Sequence, residues 1–247
     1  MNALIQQVAG QGRSQEIYDL INTAALIIAL GYSLWHGKKL GVPLWKMIII
    51  LAAVYLGMGY TQSAIWEVLL YISNNKILGI DTAVNSIVRV FIFVPLIGFV
   101  FAKILRLKAR LVWDATAMFP LLRSAFAQIA CIFTGCCAGY PWQWGIYNKR
   151  TGQNHFPVPL LETALTLAIF FWLLHRVRKN GWKSDGTLFP RMLFWYGIMR
   201  FLCEALRGNE KLLLLCSAIG IHALLLCAAG IVWLLVERKI KTKKLEK

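Results

Sequence analysis

Residues 196–207 read Tyr-Gly-Ile-Met-Arg-Phe-Leu-Cys-Glu-Ala-Leu-Arg (YGIMRFLCEALR). The stretch is greasy enough to enter a bilayer, yet it carries Arg200, Glu204 and Arg207. Spacings of four, four and three put Tyr196, Arg200, Glu204 and Arg207 on one face of a helix. Charged side chains at bilayer depth are costly unless paired or hydrated. Such a stripe therefore marks a membrane helix whose polar seam faces protein or a wet site.

The rest of the chain fits that reading. Of its 247 residues, 58% are hydrophobic and only 15% charged, and the mean hydropathy is +0.59. A soluble domain carries roughly 25% charged residues. Apolar runs recur along the whole length, more than a soluble core of this size can bury. We expect an all-α, polytopic membrane protein of about seven transmembrane helices. It forms a single integral membrane domain over 1–247. The expected spans are 18–35, 43–72, 84–105, 111–134, 158–175, 187–206 and 212–236. The start lacks a charged segment followed by an apolar one, so the first span is expected to do the targeting. The connection 135–157 is rich in Gly, Pro and aromatic residues, which suits a structured surface loop.

The net charge of +16 does not indicate a nucleic-acid partner, because of where the charge lies. Lys38, Lys39 and Lys46, the segments Lys103–Arg110 and Arg176–Arg191, and the basic tail Arg238–Lys247 fall on one side of the spans. Arg13, Lys76, Lys149, Arg150, Arg207 and Lys211 fall on the other. This asymmetry puts the C-terminus in the cytoplasm, with the N-terminus and loop 135–157 outside.

Further charges lie within or near spans. Arg89 and Asp114 sit near span ends and are expected to reach the interface. Glu67 and Arg123 lie deeper and suit mutual neutralisation. The seam itself fits two readings. Arg200 and Glu204 are either an internal pair gluing helices, or part of an anion site. Two arginines and one glutamate leave one positive charge over, which favours a phosphate held by a guanidinium fork.

Two segments converge on the same end. Residues 154–162 (NHFPVPLLE) enter the fifth span through Pro157 and Pro159, which suit a helix start. Glu162 one turn in is a candidate base or a partner that orients an arginine, or it favours the helix N-terminus by charge. Residues 133–142 (FTGCCAGYPW) end the fourth span with turn-forming Gly135, Gly139 and Pro141. Cys136 and Cys137 fit a strained disulfide, reactive thiols or small packing residues, the last being favoured. No C-x-x-C pair occurs, and no metal is expected.

Four stretches resemble the prolipoprotein diacylglyceryl transferase family: WDATAMFPLL (113–122), AQIACIFTGCCAGYP (127–141), FPVPLLE (156–162) and GTLFPRMLFWYGIMRFLCEALR (186–207). The last is similar to the family's Tyr-Gly-x-x-Arg-Phe-x-x-Glu-x-x-Arg helix and is the most specific. The resemblance runs from about Trp113 to Glu210. Gln128 stands where the family's signature arginine is found. Phe156 and Leu161 replace the histidine and tyrosine of its His-Pro motif, with His155 adjacent to the former. No counterpart of the family's His-Gly-Gly stretch is found.

The resemblance implies a multi-pass protein of the bacterial cytoplasmic membrane. The implied reaction moves the diacylglyceryl group of a phospholipid, phosphatidylglycerol, onto the lipobox cysteine of a precursor protein. Arg200, Glu204 and Glu162 are then the catalytic candidates. Tyr196, Arg207, Gln128, His155 and Arg123 are candidates for substrate binding, with His155 also a possible base. No cofactor is called for. The nucleophilic sulfur belongs to the substrate. The same fold with another acceptor, or a phospholipid-binding protein without turnover, are the alternatives.

Overall fold

The computed structural model describes residues 11–57, 94–207 and 218–245. Expectations that fall on 58–93, including Glu67, Arg89 and parts of two spans, lie outside the described residues. So do those on Lys211 and Cys216.

The described helices are α1 (Gln11–Lys39), α2 (Leu44–Gly57), α3 (Val94–Ile104), α4 (Ala109–Thr116), α5 (Met118–Thr134), α6 (Val158–Lys179), α7 (Leu188–Ala205) and α8 (Ala218–Leu245). Between α5 and α6 lie two short strands, β1 (Pro141–Asn148) and β2 (Gln153–His155). Among the described residues, three stretches are long and apolar enough to cross a membrane: Gln15–Lys39, Ala109–Thr134 and Val158–Lys179. The outward faces are apolar: Ile27, Phe171 and Val232 are each at least 60% exposed. Such faces suit lipid and would be unfavourable in water.

The second stretch is nearly continuous, as one span requires, but steps at Ala117. Pro120 has no N–H to give the carbonyl of Thr116, so the ladder is interrupted there. The Thr116 hydroxyl donates back into the preceding turn, to the Val112 carbonyl at 3.0 Å. The packing order is α1 on α5, α5 on α6, α6 on α7 and α7 on α8. The α7–α8 seam is close because of two glycines. A Cβ on Gly197 would meet the Ala223 carbonyl and Cys227 Sγ, both at 2.7 Å. One on Gly230 would meet the Pro190 carbonyl at 2.7 Å. Helices that touch backbone to backbone hold their side chains in a fixed register.

Asp114 departs from its expected interfacial role. It is 1% exposed and fastens the start of α7. Its Oδ2 accepts from the Ser184 hydroxyl and the Gly186 N–H, both at 2.7 Å, and its Oδ1 from the Leu188 N–H at 3.0 Å. The carboxylate thus supplies a cap that α7's own N-cap, Thr187, does not. At the same end, Arg110 grips Glu237 of α8 through Nε at 3.0 Å and Nη2 at 2.9 Å. His36 Nε2 donates to the Asp114 carbonyl at 3.3 Å, tying in α1.

Loop 135–157 is an antiparallel hairpin, an addition to the all-α expectation. Tyr147 pairs with Asn154 and Asn148 with Gln153. The loop is pinned to both neighbouring helices. Asn148 Nδ2 donates to the Gly135 carbonyl at 3.0 Å, at the end of α5. The Tyr140 N–H donates to the Leu206 carbonyl at 3.1 Å, at the end of α7.

Replacing Asp114 with Ala orphans the buried Gly186 and Leu188 N–H groups and takes one acceptor from the half-buried Ser184 hydroxyl, which also reaches the Arg110 carbonyl at 3.4 Å. We expect it to destabilise the fold by roughly 3 kcal/mol, given about 1–3 kcal/mol for each unsatisfied buried group and partial relaxation. Thermal unfolding of the detergent-solubilised protein measures this; an unchanged midpoint would contradict the capping role.

Candidate active site

The site lies where α5, α6 and α7 meet beside the hairpin. Pro157 and Pro159 set the first turn of α6, so Glu162 projects from its second turn into the bundle, 1% exposed. The seam on α7 faces it. Arg200 Nη1 donates to Glu162 Oε1 in a short ion pair. Arg207 Nη2 donates to the same oxygen at 2.8 Å. Arg207 Nη1 lies 3.7 Å from Glu204 Oε2.

This corrects two expectations. Arg200 is held by Glu162 of the neighbouring helix, and Glu204 is paired with Arg207. The expected surplus positive charge also disappears, because Glu162 joins the seam and two arginines now face two glutamates. A balanced set explains how four ionised side chains sit inside the bundle. Arg200 and Glu204 are only 3% and 5% exposed, and an unbalanced charge there would be severely penalised.

Tyr196 continues the seam inward. Its hydroxyl shares a 2.9 Å hydrogen bond with Ser124 Oγ of α5. Ser124 has no signal in the sequence. It becomes part of the site only because α5 packs beside Tyr196. Gln128 is one turn further along α5 on Ser124's face. Thr163 joins α6 to α5 by donating to the Ala125 carbonyl at 3.0 Å.

Several buried polar atoms around this seam have no hydrogen-bond partner among the described residues. They are Gln128 Oε1, Glu162 Oε2, Thr166 Oγ1, Arg200 Nε, Glu204 Oε2 and Arg207 Nε. Buried polar groups are ordinarily satisfied. Donors and acceptors left open on three adjacent helices give this region the capacity to bind a polar group.

Two candidates take other roles. His155 is fastened at both ring nitrogens: Nδ1 to the Gly139 carbonyl and Nε2 to Thr151 Oγ1, each at 2.7 Å. A carbonyl can only accept, so Nδ1 carries the proton and Nε2 accepts from the hydroxyl. His155 thereby ties the hairpin to the exit of α5 through both ring nitrogens. Arg123 Nη1 donates to Asn22 Oδ1 at 2.9 Å and binds α5 to α1.

The exit from α5 completes the site. Gly135 and Cys137 both adopt positive φ, 67° and 62°. A left-handed residue turns the chain back on itself, and glycine accepts this readily whereas cysteine does not. Gly139 must be small, since its Cβ would meet the Leu206 and Phe156 carbonyls at 2.8 Å. Cys137 lies within electrostatic range of Arg200 and Glu204. Hydrogen bonds with Cys131, Cys137 and Thr134 pull the Cys136 thiol below its ordinary range.

A model of the prolipoprotein diacylglyceryl transferase family matches residues 11–236. The chain belongs to that family. The match extends well beyond both ends of the motif-bearing part, 113–210, and takes in α1. The family is one of polytopic membrane transferases, which accounts for the apolar outer faces of the bundle. No curated protein matches the chain. The stretch 196–207 places Tyr196, Arg200 and Glu204 on α7 and Arg207 just past its end, and α6 places Glu162 beside the two arginines.

Substituting Glu162 with Gln leaves two buried guanidiniums facing a single carboxylate. We expect a loss of about 3–5 kcal/mol, the cost of breaking a buried pair. Tyr196→Phe removes one neutral hydrogen bond and should cost about 1 kcal/mol. Unfolding midpoints of the two variants, measured side by side, test this order; equal shifts would contradict it.

Proposed function

We propose that the chain transfers the diacylglyceryl group of phosphatidylglycerol to the lipobox cysteine of a precursor protein. The observation that carries this reading is the buried Glu162–Arg200–Arg207–Glu204 cluster beside the hairpin, with unfilled donors on both arginines. In this reaction the substrate sulfur attacks the glycerol carbon that bears the phosphate oxygen. A C–S bond forms and the C–O bond breaks. Glycerol phosphate leaves with the bonding pair, and the thiol proton passes to a base.

Each residue then has a role. Arg200 and Arg207 stabilise the departing phosphate, where charge develops. Glu162 accepts from both guanidiniums and positions them. Glu204, held only by a loose ion pair with Arg207 at 3.7 Å, is the carboxylate placed to take the thiol proton. Tyr196, oriented by Ser124, hydrogen-bonds the headgroup. The distribution of lysine and arginine supports a hairpin end on the outer side of the bacterial cytoplasmic membrane, with the C-terminus in the cytoplasm.

One observation favours a second reading, a transferase of the same fold with a different acceptor. Gln128 replaces the signature arginine, so this site has one cation fewer than the family pattern.

The test is transfer from phosphatidylglycerol in liposomes to a lipobox peptide, using the purified protein and its Arg200→Ala variant. We expect thioether product from the wild type. The variant should lose about 100-fold or more, the scale of removing one charge-stabilising donor, while eluting as a folded species. Full transfer by Arg200→Ala would overturn the mechanism. Phosphatidylglycerol cleavage without peptide product would favour the second reading.

A further inference from the structure

We propose that Cys131, Cys136 and Cys137 form a binding site for a thiophilic monovalent cation, Cu(I), at the hairpin end of the bundle. The three sulfur atoms all lie within 4.8 Å of one another. Three sulfurs each about 2.3 Å from a shared ion in one plane stand about 4 Å apart. The observed cluster therefore closes on an ion with shifts below an ångström. The sequence spacing disguises the site. Positions 131 and 136 would not share a helix face, but the left-handed turns at Gly135 and Cys137 fold the chain back over the end of α5. That turn is held in place. Thr134 Oγ1 donates to Cys136 Sγ at 3.1 Å, and Asn148 ties the Gly135 carbonyl to the hairpin.

Coordination number selects the ion. Structural zinc takes four ligands. Among the described residues no fourth His, Cys, Asp or Glu ligand atom joins the three thiols. Three thiolates without a fourth protein ligand suit a soft, low-coordinate cation. The thiols are half-buried rather than sealed in. Cys131 and Cys136 line a pocket with Asn148, His155, Phe156 and Pro157, which gives an entry path. A bound ion would clamp the α5 exit turn next to the Arg200–Glu204 seam. The site stands independently of the reaction proposed above.

The experiment titrates the reduced, full-length protein in detergent with Cu(I) under anaerobic conditions, in competition with bathocuproine disulfonate. We expect one Cu(I) per chain and protection of these thiols from maleimide. Each of Cys131→Ser, Cys136→Ser and Cys137→Ser should weaken binding by about 100-fold, since each removes one of three soft ligands. Cys203→Ser and Cys227→Ser should bind as the wild type does. Gel filtration confirms that each variant remains folded. Complete loss of Cu(I) from the wild type to the chelator would overturn the site. So would unweakened binding by any of the three site variants, or Zn(II) held in preference to Cu(I).

Discussion

One carboxylate oxygen, Glu162 Oε1, accepts from two arginines of another helix inside an apolar bundle. Much of the local structure follows from satisfying that arrangement. A guanidinium in a low-dielectric interior must be matched in charge and geometry. Arg200 lies on α7 and Arg207 seven residues on, just past its end, so both reach one oxygen only if α6 crosses at a fixed height. The proline-led start of α6 sets that height, and Thr163 holds the helix against α5. The ion cluster is therefore a registration device as well as chemical equipment.

Register on the other side of α7 is set without charge. Gly197 and Gly230 let α7 and α8 approach until backbone atoms limit the contact. Asp114 fixes the opposite end of α7 by accepting from three donors between Ser184 and Leu188. With its start capped, its back pressed on α8 and its seam paired to α6, α7 has little freedom to rotate or slide. Such rigidity suits charge stabilisation, which depends on groups already in place when charge develops.

The hairpin shows how weak local signals become specific in three dimensions. His155, which stands beside a family motif position, serves the loop by bonding at both nitrogens. Cys136 and Cys137, adjacent and unremarkable in spacing, come to lie beside Cys131 through a left-handed exit turn. Arg123 is half-buried, and its partner among the described residues is a neutral asparagine on α1.

Sequence alone determined the membrane class, the positions of most described helices, and the polar face of residues 196–207. Those features arise from composition and from the helical repeat, which are local properties of the chain. It also carried the family, through the spacing of Tyr196, Arg200, Glu204 and Arg207. Only the tertiary structure decided who pairs with whom. The i,i+4 spacing suggested Arg200 with Glu204, yet the ion pair Arg200 makes is with Glu162 on a neighbouring helix. The same holds for Ser124 with Tyr196, for Asp114 with the start of α7, and for the three thiols. In each case the partners lie on different elements or across a chain reversal, and helix packing alone brings them within bonding distance.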